Sequence, residues 1–321
     1  MVYRDGIRGH TGAEPLAPGG PPHASGECQR GGGPEGRGGG TDRDQAEEPQ
    51  RHPGGGPGRL AVVSLGPGFA DYLIPRAKNA LAEAQVVVGY QTYIDLVRPW
   101  LTTQEVVATG MKAEVKRCHL ALDRARAGQR VALVSSGDAG IYGMAGLVLE
   151  ICAAQGLKVG PPGGSADVDL YLEVIPGVPA LAAGAALLGA PLMHDFVVIS
   201  LSDLLTPWET IKKRLELAAQ GDFVIVLYNP KSKKRDWQLG AVRDLLLKRK
   251  APDTPVGIVS RAMRQGQTTT ITTLHDLTKN PVDMQTIVVV GNSQTYTYGD
   301  YMITPRGYLA KYSGQVQGSV V

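Results

Sequence analysis

The sequence predicts an α/β protein built as two α/β domains, and three features predict it. Short, wholly apolar runs alternate with segments of helical spacing from Leu60 onward, the pattern of strands covered on both faces by helices. The composition changes sharply near Gly58 and the pattern restarts after an alanine- and leucine-rich helix at Ala180 to Leu188. Glycine- and proline-rich turns follow directly on several of the apolar runs, where α/β sheets place their ligands.

Residues 1–58 are crowded with glycine, proline and charge and nearly lack branched aliphatic and aromatic side chains. Such a segment buries too little apolar surface to offset its ordering entropy, so a disordered extension is expected. His10, His23, Cys28 and His52 within it match no metal-ligand spacing. The first domain is expected over 59–190. Leu60 to Leu65 reads as a buried strand stopped by Gly66-Pro67-Gly68. Ile74, Ala77, Ala80, Leu81 and Ala84 fall at helical spacing, Val86 to Val88 forms a second strand, and Val106-Val107 a short third. Glu114 to Ala127 is helical with Gly128 as its stop. Val131 to Val134 is a strand, Gly143 to Ala154 a helix, Pro161 to Asp169 a polar surface loop, and Tyr171 to Ile175 a closing strand.

The second domain is expected over 191–308, with the boundary near Leu188 to Leu192 and a tail over 309–321. Phe196 to Ile199, Phe223 to Leu227, Val256 to Val259 and Ile287 to Val290 read as strands, and Thr210 to Ala219 and Trp237 to Lys250 as helices. Thr268 to Thr273 is rich in β-branched residues with polar alternation, which suits an exposed or antiparallel strand and makes this sheet mixed.

Bulk properties exclude several functions. With 43% hydrophobic and 20% charged residues in 321, the chain has the balance of a soluble globular protein. A formal net charge of +3, evenly spread, gives no footprint for nucleic acid or membrane. The three cysteines, Cys28, Cys118 and Cys152, are far apart. They offer no zinc or iron–sulfur spacing and suit a reducing cytoplasm, so no metal is expected. No apolar run is long enough to span a bilayer, and the N-terminus lacks a secretory apolar region.

Four turns carry the chemistry. Gly66-Pro67-Gly68 is either a tight structural turn or a ligand-facing one; it is not G-x-G-x-x-G, which disfavours the alternative of an NAD-dependent dehydrogenase. Ser135 to Gly143 follows a strand and opens a helix, so its backbone N–H groups suit a ligand carboxylate. Asp138 either accepts hydrogen bonds from a ribose or amine or caps the following helix. The third turn is Ile175 to Ala180 and the fourth Tyr228-Asn229-Pro230. The four converge on one interdomain cleft if the two sheets face each other.

The four motifs, in this order and spread over Leu60 to about Tyr308, make the sequence similar to the class III S-adenosylmethionine methyltransferases of tetrapyrrole biosynthesis. Ala139 within Ser135 to Met144, the run His194-Asp195-Phe196, Ile199 to Trp208, Leu227 to Ser232 with Arg235, and Val87 to Tyr90 with Tyr93 resemble the branch acting at C-17 of precorrin-3B. Departures are modest. Ser64 replaces a glycine common in the first turn, Ile74 a threonine, and Pro179 a threonine or serine.

The resemblance implies two α/β domains with S-adenosyl-L-methionine in the cleft between them. It carries cofactor contacts to Pro67, Ser136, Gly137, Asp138, Ile141, Pro179, Ala180, Asn229 and Ala262. It implies a cytoplasmic homodimer that methylates C-17 of precorrin-3B with ring contraction to precorrin-4 in cobalamin biosynthesis. The alternatives are a cobalt-factor III C(17)-methyltransferase, another corrin-ring methylase, or a non-catalytic module binding adenosine compounds. The lack of a cysteine cluster leans toward the metal-free macrocycle. The sulfonium already activates its methyl, so alignment is the main demand on the protein. Ring contraction needs a general base, for which Asp203 and His194 are candidates, with Ser202 as a hydrogen-bonding partner. Lys112, Lys231, Arg235 and Arg261 are candidates for the substrate's acetate and propionate groups, and Lys233, Lys234 and Arg264 share their basic loops.

Overall fold

In the computed structural model the described residues are 56–316 except 233 and 234. The expectations for His10, His23, Cys28 and His52, for most of the N-terminal extension, and for Lys233 and Lys234 lie outside them.

The first half of the described chain runs β1 (Gly58–Ser64), α1 (Pro75–Glu83), β2 (Val86–Tyr90), α2 (Gln91–Val97), β3 (Glu105–Thr109), α3 (Glu114–Arg126), β4 (Arg130–Ser135), α4 (Met144–Ala154), β5 (Val159–Gly160) and β6 (Leu170–Ile175). The six strands form one parallel sheet in the order β3-β2-β4-β1-β6-β5. Side chains alternate across it, as strand periodicity requires. Leu60, Val62, Val86, Val88, Val131 and Leu133 pack under α3 and α4 with Cys118, Leu122 and Val148. Val63, Val87, Ala132 and Val134 face the other way, onto Ala77, Leu81 and Ile94 of α1 and α2. Both faces are therefore covered, which is why these strands read as unbroken apolar runs. From β1 the chain crosses to β2 on one side, and from β4 it crosses to β6 on the other. β1 and β4 are neighbours, so a crevice opens beyond their carboxyl ends.

The second half runs α5 (Ala180–Leu188), β7 (Gly189–Ala190), β8 (Phe196–Ser200), α6 (Trp208–Gln220), β9 (Val224–Tyr228), α7 (Gln238–Leu246), β10 (Pro255–Ser260), β11 (Thr268–Thr273), β12 (Thr286–Val290), β13 (Tyr296–Tyr298), β14 (Tyr301–Ile303) and α8 (Tyr308–Val316). A mixed five-stranded sheet has the order β11-β10-β12-β9-β8, with β8 and β9 parallel and the other pairs antiparallel. The threonine-rich strand is its antiparallel edge, as its polar alternation suggests. Ile225, Leu227, Val256, Ile258, Val288 and Val290 pack against α6 and α7. Val224, Val226, Val259, Ile287 and Val289 pack against Leu188 of α5 and Met302 of β14.

Several elements differ from the sequence reading. α2 begins directly after β2, with no loop to announce it, and β14 pairs with both β13 and β7 in a small third sheet. α7 stops at Leu246, and Lys250, expected at its end, leaves the helix to donate to the Phe223 carbonyl at 3.0 Å. The stretch expected as a tail is helical through Val316. Among the described residues, no helix is long and apolar enough to cross a membrane.

Candidate functional site

The carboxyl ends of the first sheet and the facing loops of the second enclose a cavity of about 360 Å³. The first wall consists of Pro67 after β1, Tyr90 ending β2, Met111 after β3, Ser136 to Asp138 after β4, and Pro179-Ala180 after β6. The second wall consists of Tyr228-Asn229 after β9, Val259, Arg261, Ala262 and Arg264 around the end of β10, and Thr286-Ile287 opening the antiparallel β12.

Backbone hydrogen bonds bind the first wall into one unit. The Gly66 N–H donates to the Gly137 carbonyl at 3.0 Å, and the Gly137 N–H donates back at 2.8 Å. The buried Ser64 Oγ accepts the Ala139 N–H at 2.8 Å, so the serine at the end of β1 supports the loop after β4. Asp138 accepts from Gly140 through Oδ1 at 2.8 Å and from Gly177 through Oδ2 at 3.0 Å. Its carboxylate thus ties the second and third turns together, and α4 starts later, at Met144, with no side-chain cap.

On the second wall, Asn229 has φ 51°. Its Nδ2 donates to Ser200 Oγ at 3.0 Å, and its carbonyl accepts from Arg235 Nη2 at 2.8 Å. Tyr142 and Tyr228 bridge the walls with ring centroids 5.3 Å apart. Tyr142 Oη donates to the Val198 carbonyl at 3.2 Å, and Tyr228 Oη accepts the Leu181 N–H at 2.9 Å. Burial pushes both phenols above the usual tyrosine range, so both keep their protons at neutral pH. Tyr142, Asn229, Arg261 and Met263 are four of the six non-glycine residues with positive φ among the described residues. Backbone strain of this kind concentrates at functional sites.

All nine residues expected to touch the cofactor, Pro67, Ser136, Gly137, Asp138, Ile141, Pro179, Ala180, Asn229 and Ala262, line this one cavity. The other expectations divide. Arg261 also lines it, with Nε held by Gln285 Oε1 at 2.9 Å. Lys112 is exposed one residue beyond the lining Met111, and Lys231 is exposed two residues beyond Asn229. Arg235 is turned inward, buried, and spent on the Asn229 carbonyl rather than presented to a substrate. Asp203 is exposed on the loop after β8, where Gln238 Nε2 donates to it at 3.0 Å. The Ser202 N–H donates to Ser200 Oγ at 3.2 Å. His194 is exposed and bonded to its own neighbour Asp195. It precedes β8, at the end of that strand away from Ser200, roughly 20 Å off in extended chain. Of these residues Arg261 alone lines the cavity; Asp203, Ser202, His194, Lys112, Lys231 and Arg235 do not. Sequence reasoning gave no individual site role to Tyr142, Tyr228 or Thr286; Arg264, named with Arg261 in a basic loop, also lines the cavity, and its Nε donates across the cleft to the Pro67 carbonyl.

The sequence model of the tetrapyrrole (corrin/porphyrin) methylases matches residues 59–278. The chain is 48% identical over 256 residues to the cobalt-factor III methyltransferase of Priestia megaterium, a match covering 80% of this chain and 46% of that protein. It thus spans about half the length of that relative. It is 49% identical over 249 residues to the probable cobalt-factor III C(17)-methyltransferase of Salmonella typhimurium, covering 78% of this chain and 99% of that one. Among solved structures, the methyltransferase CobJ superposes with a TM-score of 0.71 at 36% identity, over 77% of this chain and all of that one. With its fold, its four ordered turns and these relatives in agreement, the chain belongs to the tetrapyrrole methylase family.

Proposed function

We propose that this chain transfers the methyl group of S-adenosyl-L-methionine to C-17 of a cobalamin-pathway tetrapyrrole, with contraction of the macrocycle. The observation that carries the reading is the convergence on one cavity of the nine residues to which the family resemblance assigns cofactor contacts. At about 360 Å³ that cavity is within the range of small-molecule sites. Its lining fits an adenosyl amino acid. Ile141, Pro179, Val259 and Ile287 offer apolar surface for the purine and ribose, the Gly137 backbone allows close approach, and Asn229 and Arg264 offer polar ends.

When bound, S-adenosyl-L-methionine supplies a methyl already activated on its sulfonium. The two walls hold donor and acceptor in line, and such alignment supplies roughly 7–11 kcal/mol of the barrier. The new C–C bond forms as the S–CH₃ bond breaks, and sulfur keeps the electron pair. Asp203, held by Gln238 beside the end of β8, is the proposed base that takes the ring-hydroxyl proton during contraction. Ser202 is the proposed hydrogen-bond partner of a substrate carboxylate. Arg261, Lys112 and Lys231 stand on the cleft side of the two sheets and are the proposed contacts for the remaining carboxylates. His194 is given no part.

The metal-free substrate of this reading is precorrin-3B, converted to precorrin-4. The relatives favour a second substrate. The proteins at 48% and 49% identity carry cobalt-factor III in their names, which counters the lean toward a metal-free macrocycle. A cytoplasmic homodimer completes the reading. The exposed Tyr296, Tyr298, Tyr301 and Tyr308 support self-association, since tyrosine is enriched at interfaces.

The test is to incubate the protein with ¹³C-methyl-labelled cofactor and, separately, precorrin-3B and cobalt-factor III, and to locate the label by NMR. Label at C-17 of a contracted ring is expected, and the faster substrate decides between the two. Label at another carbon refutes the position, and no label in either macrocycle refutes methyl transfer.

A further inference from the structure

Arg264 leaves the second wall and reaches across the cleft. Its loop is tightly tied: Arg264 N–H donates to the Arg261 carbonyl at 2.9 Å, Gln267 N–H to the Arg264 carbonyl at 3.1 Å, and Met263 N–H to Gln267 Oε1 at 2.8 Å. The Met263 carbonyl accepts the Phe69 N–H of the first wall at 3.1 Å. The stem of Arg264 lies on Gly68, where an added Cβ would stand 2.6 Å from Arg264 Cγ. Nε is used by the Pro67 carbonyl. That leaves the two Nη groups. They have no hydrogen-bond acceptor among the described residues, and no ion pair among those residues includes Arg264. They are not sealed in protein either, because the buried unpaired side-chain atoms among the described residues are Gln129 Oε1, Arg235 Nε and Gln238 Oε1. They are thus reachable by solvent, and Arg264 is one of the residues that line the cavity.

Of the other arginines nearby, Arg235 is turned inward with Nη2 on the Asn229 carbonyl, and Arg261 is held through Nε by Gln285 on the same wall rather than across the cleft. Burial pulls the Arg264 guanidinium below its ordinary value, the mark of a cation short of water and of a counter-charge. A planar guanidinium with one edge tethered and its terminal nitrogens free matches a carboxylate fork.

We propose that Arg264 is a carboxylate-binding residue of the cleft, beside the contacts proposed above, with its Nη groups taking a carboxylate of the bound ligands while Nε fixes its position on Pro67. This rests on the methyl-transfer reading, which supplies two carboxylate sources: the methionyl end of the cofactor and the acetate and propionate arms of the macrocycle.

Calorimetry with S-adenosylhomocysteine and with 5′-methylthioadenosine, which lacks the carboxylate, separates the sources when combined with the tetrapyrrole KM. For the cofactor source, Arg264→Gln weakens S-adenosylhomocysteine about tenfold or more and leaves methylthioadenosine within about twofold. For the macrocycle source, both nucleosides bind as in wild type and the tetrapyrrole KM rises about tenfold or more. Arg264→Lys keeps the charge and is expected to lose less in the same arm, which covers the case in which the glutamine variant does not fold. Equal weakening of both nucleosides would reduce Arg264 to a clamp on Pro67 and overturn the proposal, as would no change in any of the three constants. Failure of the wild-type protein to bind S-adenosylhomocysteine would instead sink the methyl-transfer reading, and the Arg264 assignment with it.

Discussion

Asp138 Oδ2 accepts the backbone N–H of Gly177 at 3.0 Å, across 39 residues of sequence, while Oδ1 holds Gly140. The acid that looked like a ligand contact or a helix cap is also the rivet between the turns after β4 and β6. Asp138→Ala removes both acceptors. Leaving a partly buried donor unpaired costs about 1–3 kcal/mol, so the variant is expected to unfold at lower urea concentration and to bind S-adenosylhomocysteine more weakly. Asp138→Asn keeps one amide oxygen and is expected to lose less. Equal stability of the alanine variant and wild type would contradict the rivet.

Two glycines of the cleft are needed for different reasons, and alanine separates them. Gly137 has φ +64°, but an added Cβ would meet only ordinary contacts, 3.9 Å from Ala180 N and Pro179 Cα. Gly137→Ala is therefore expected to cost about 1–2 kcal/mol of backbone strain and still fold. At Gly177 the added Cβ would meet the Gly137 carbonyl oxygen at 2.5 Å and Ser64 Cβ at 2.6 Å. Gly177→Ala must push two loops apart and is expected to abolish nucleoside binding. Thermal melts and calorimetry on both variants check the contrast, which fails if Gly177→Ala is the milder change.

Ser64 is 1% exposed, and its Oγ accepts the N–H of the fully buried Ala139. Ser64→Ala strands that donor, at about 1–3 kcal/mol. Urea denaturation is expected to show a lower midpoint with an unchanged slope. A midpoint equal to wild type would mean that the loop finds another acceptor.

Far from the cleft, Asp222 joins Lys250, at 3.4 Å, to the N–H of Ser293, at 3.0 Å. Burial alone would raise this carboxyl, but the hydrogen bonds from Ser293 and the nearby Lys250 together hold it below the usual range. A depressed acid stabilises the folded state above its unfolded pKa, about 4, and loses that contribution as pH falls through the folded value. Ser293→Ala is expected to lower the melting temperature at pH 7, with the gap to wild type closing as the pH falls below the ordinary carboxylate range and through the depressed folded value. A gap independent of pH would point to packing alone.

Most of the fold was legible because its strands are buried on both faces. Leu60 to Leu65 and Val131 to Val134 have no other reading than core strands once the intervening helices are seen. Less legible were elements with little periodicity of their own. β5 and β7 have two residues each, and α2 has seven. In the site, the glycine turns marked the cleft because turns at strand ends are local. Side-chain direction is not local. Nothing in the sequence says that Arg235 turns inward or that Arg264 reaches across to Pro67, whereas the place of His194 before β8 was legible from its position ahead of the Phe196 strand. Thr286 was missed because it opens a strand, and only the antiparallel course of β12 brings a strand beginning to a cleft otherwise made of strand ends.

The central claim is that the cavity between the two sheets holds the methyl donor. A crystal structure of the protein grown with saturating S-adenosylhomocysteine tests it most directly. The nucleoside is predicted between Gly137 and Ala180 on one side and Asn229 and Ala262 on the other. Density for it anywhere else, or a cleft free of it at saturation, would contradict the account.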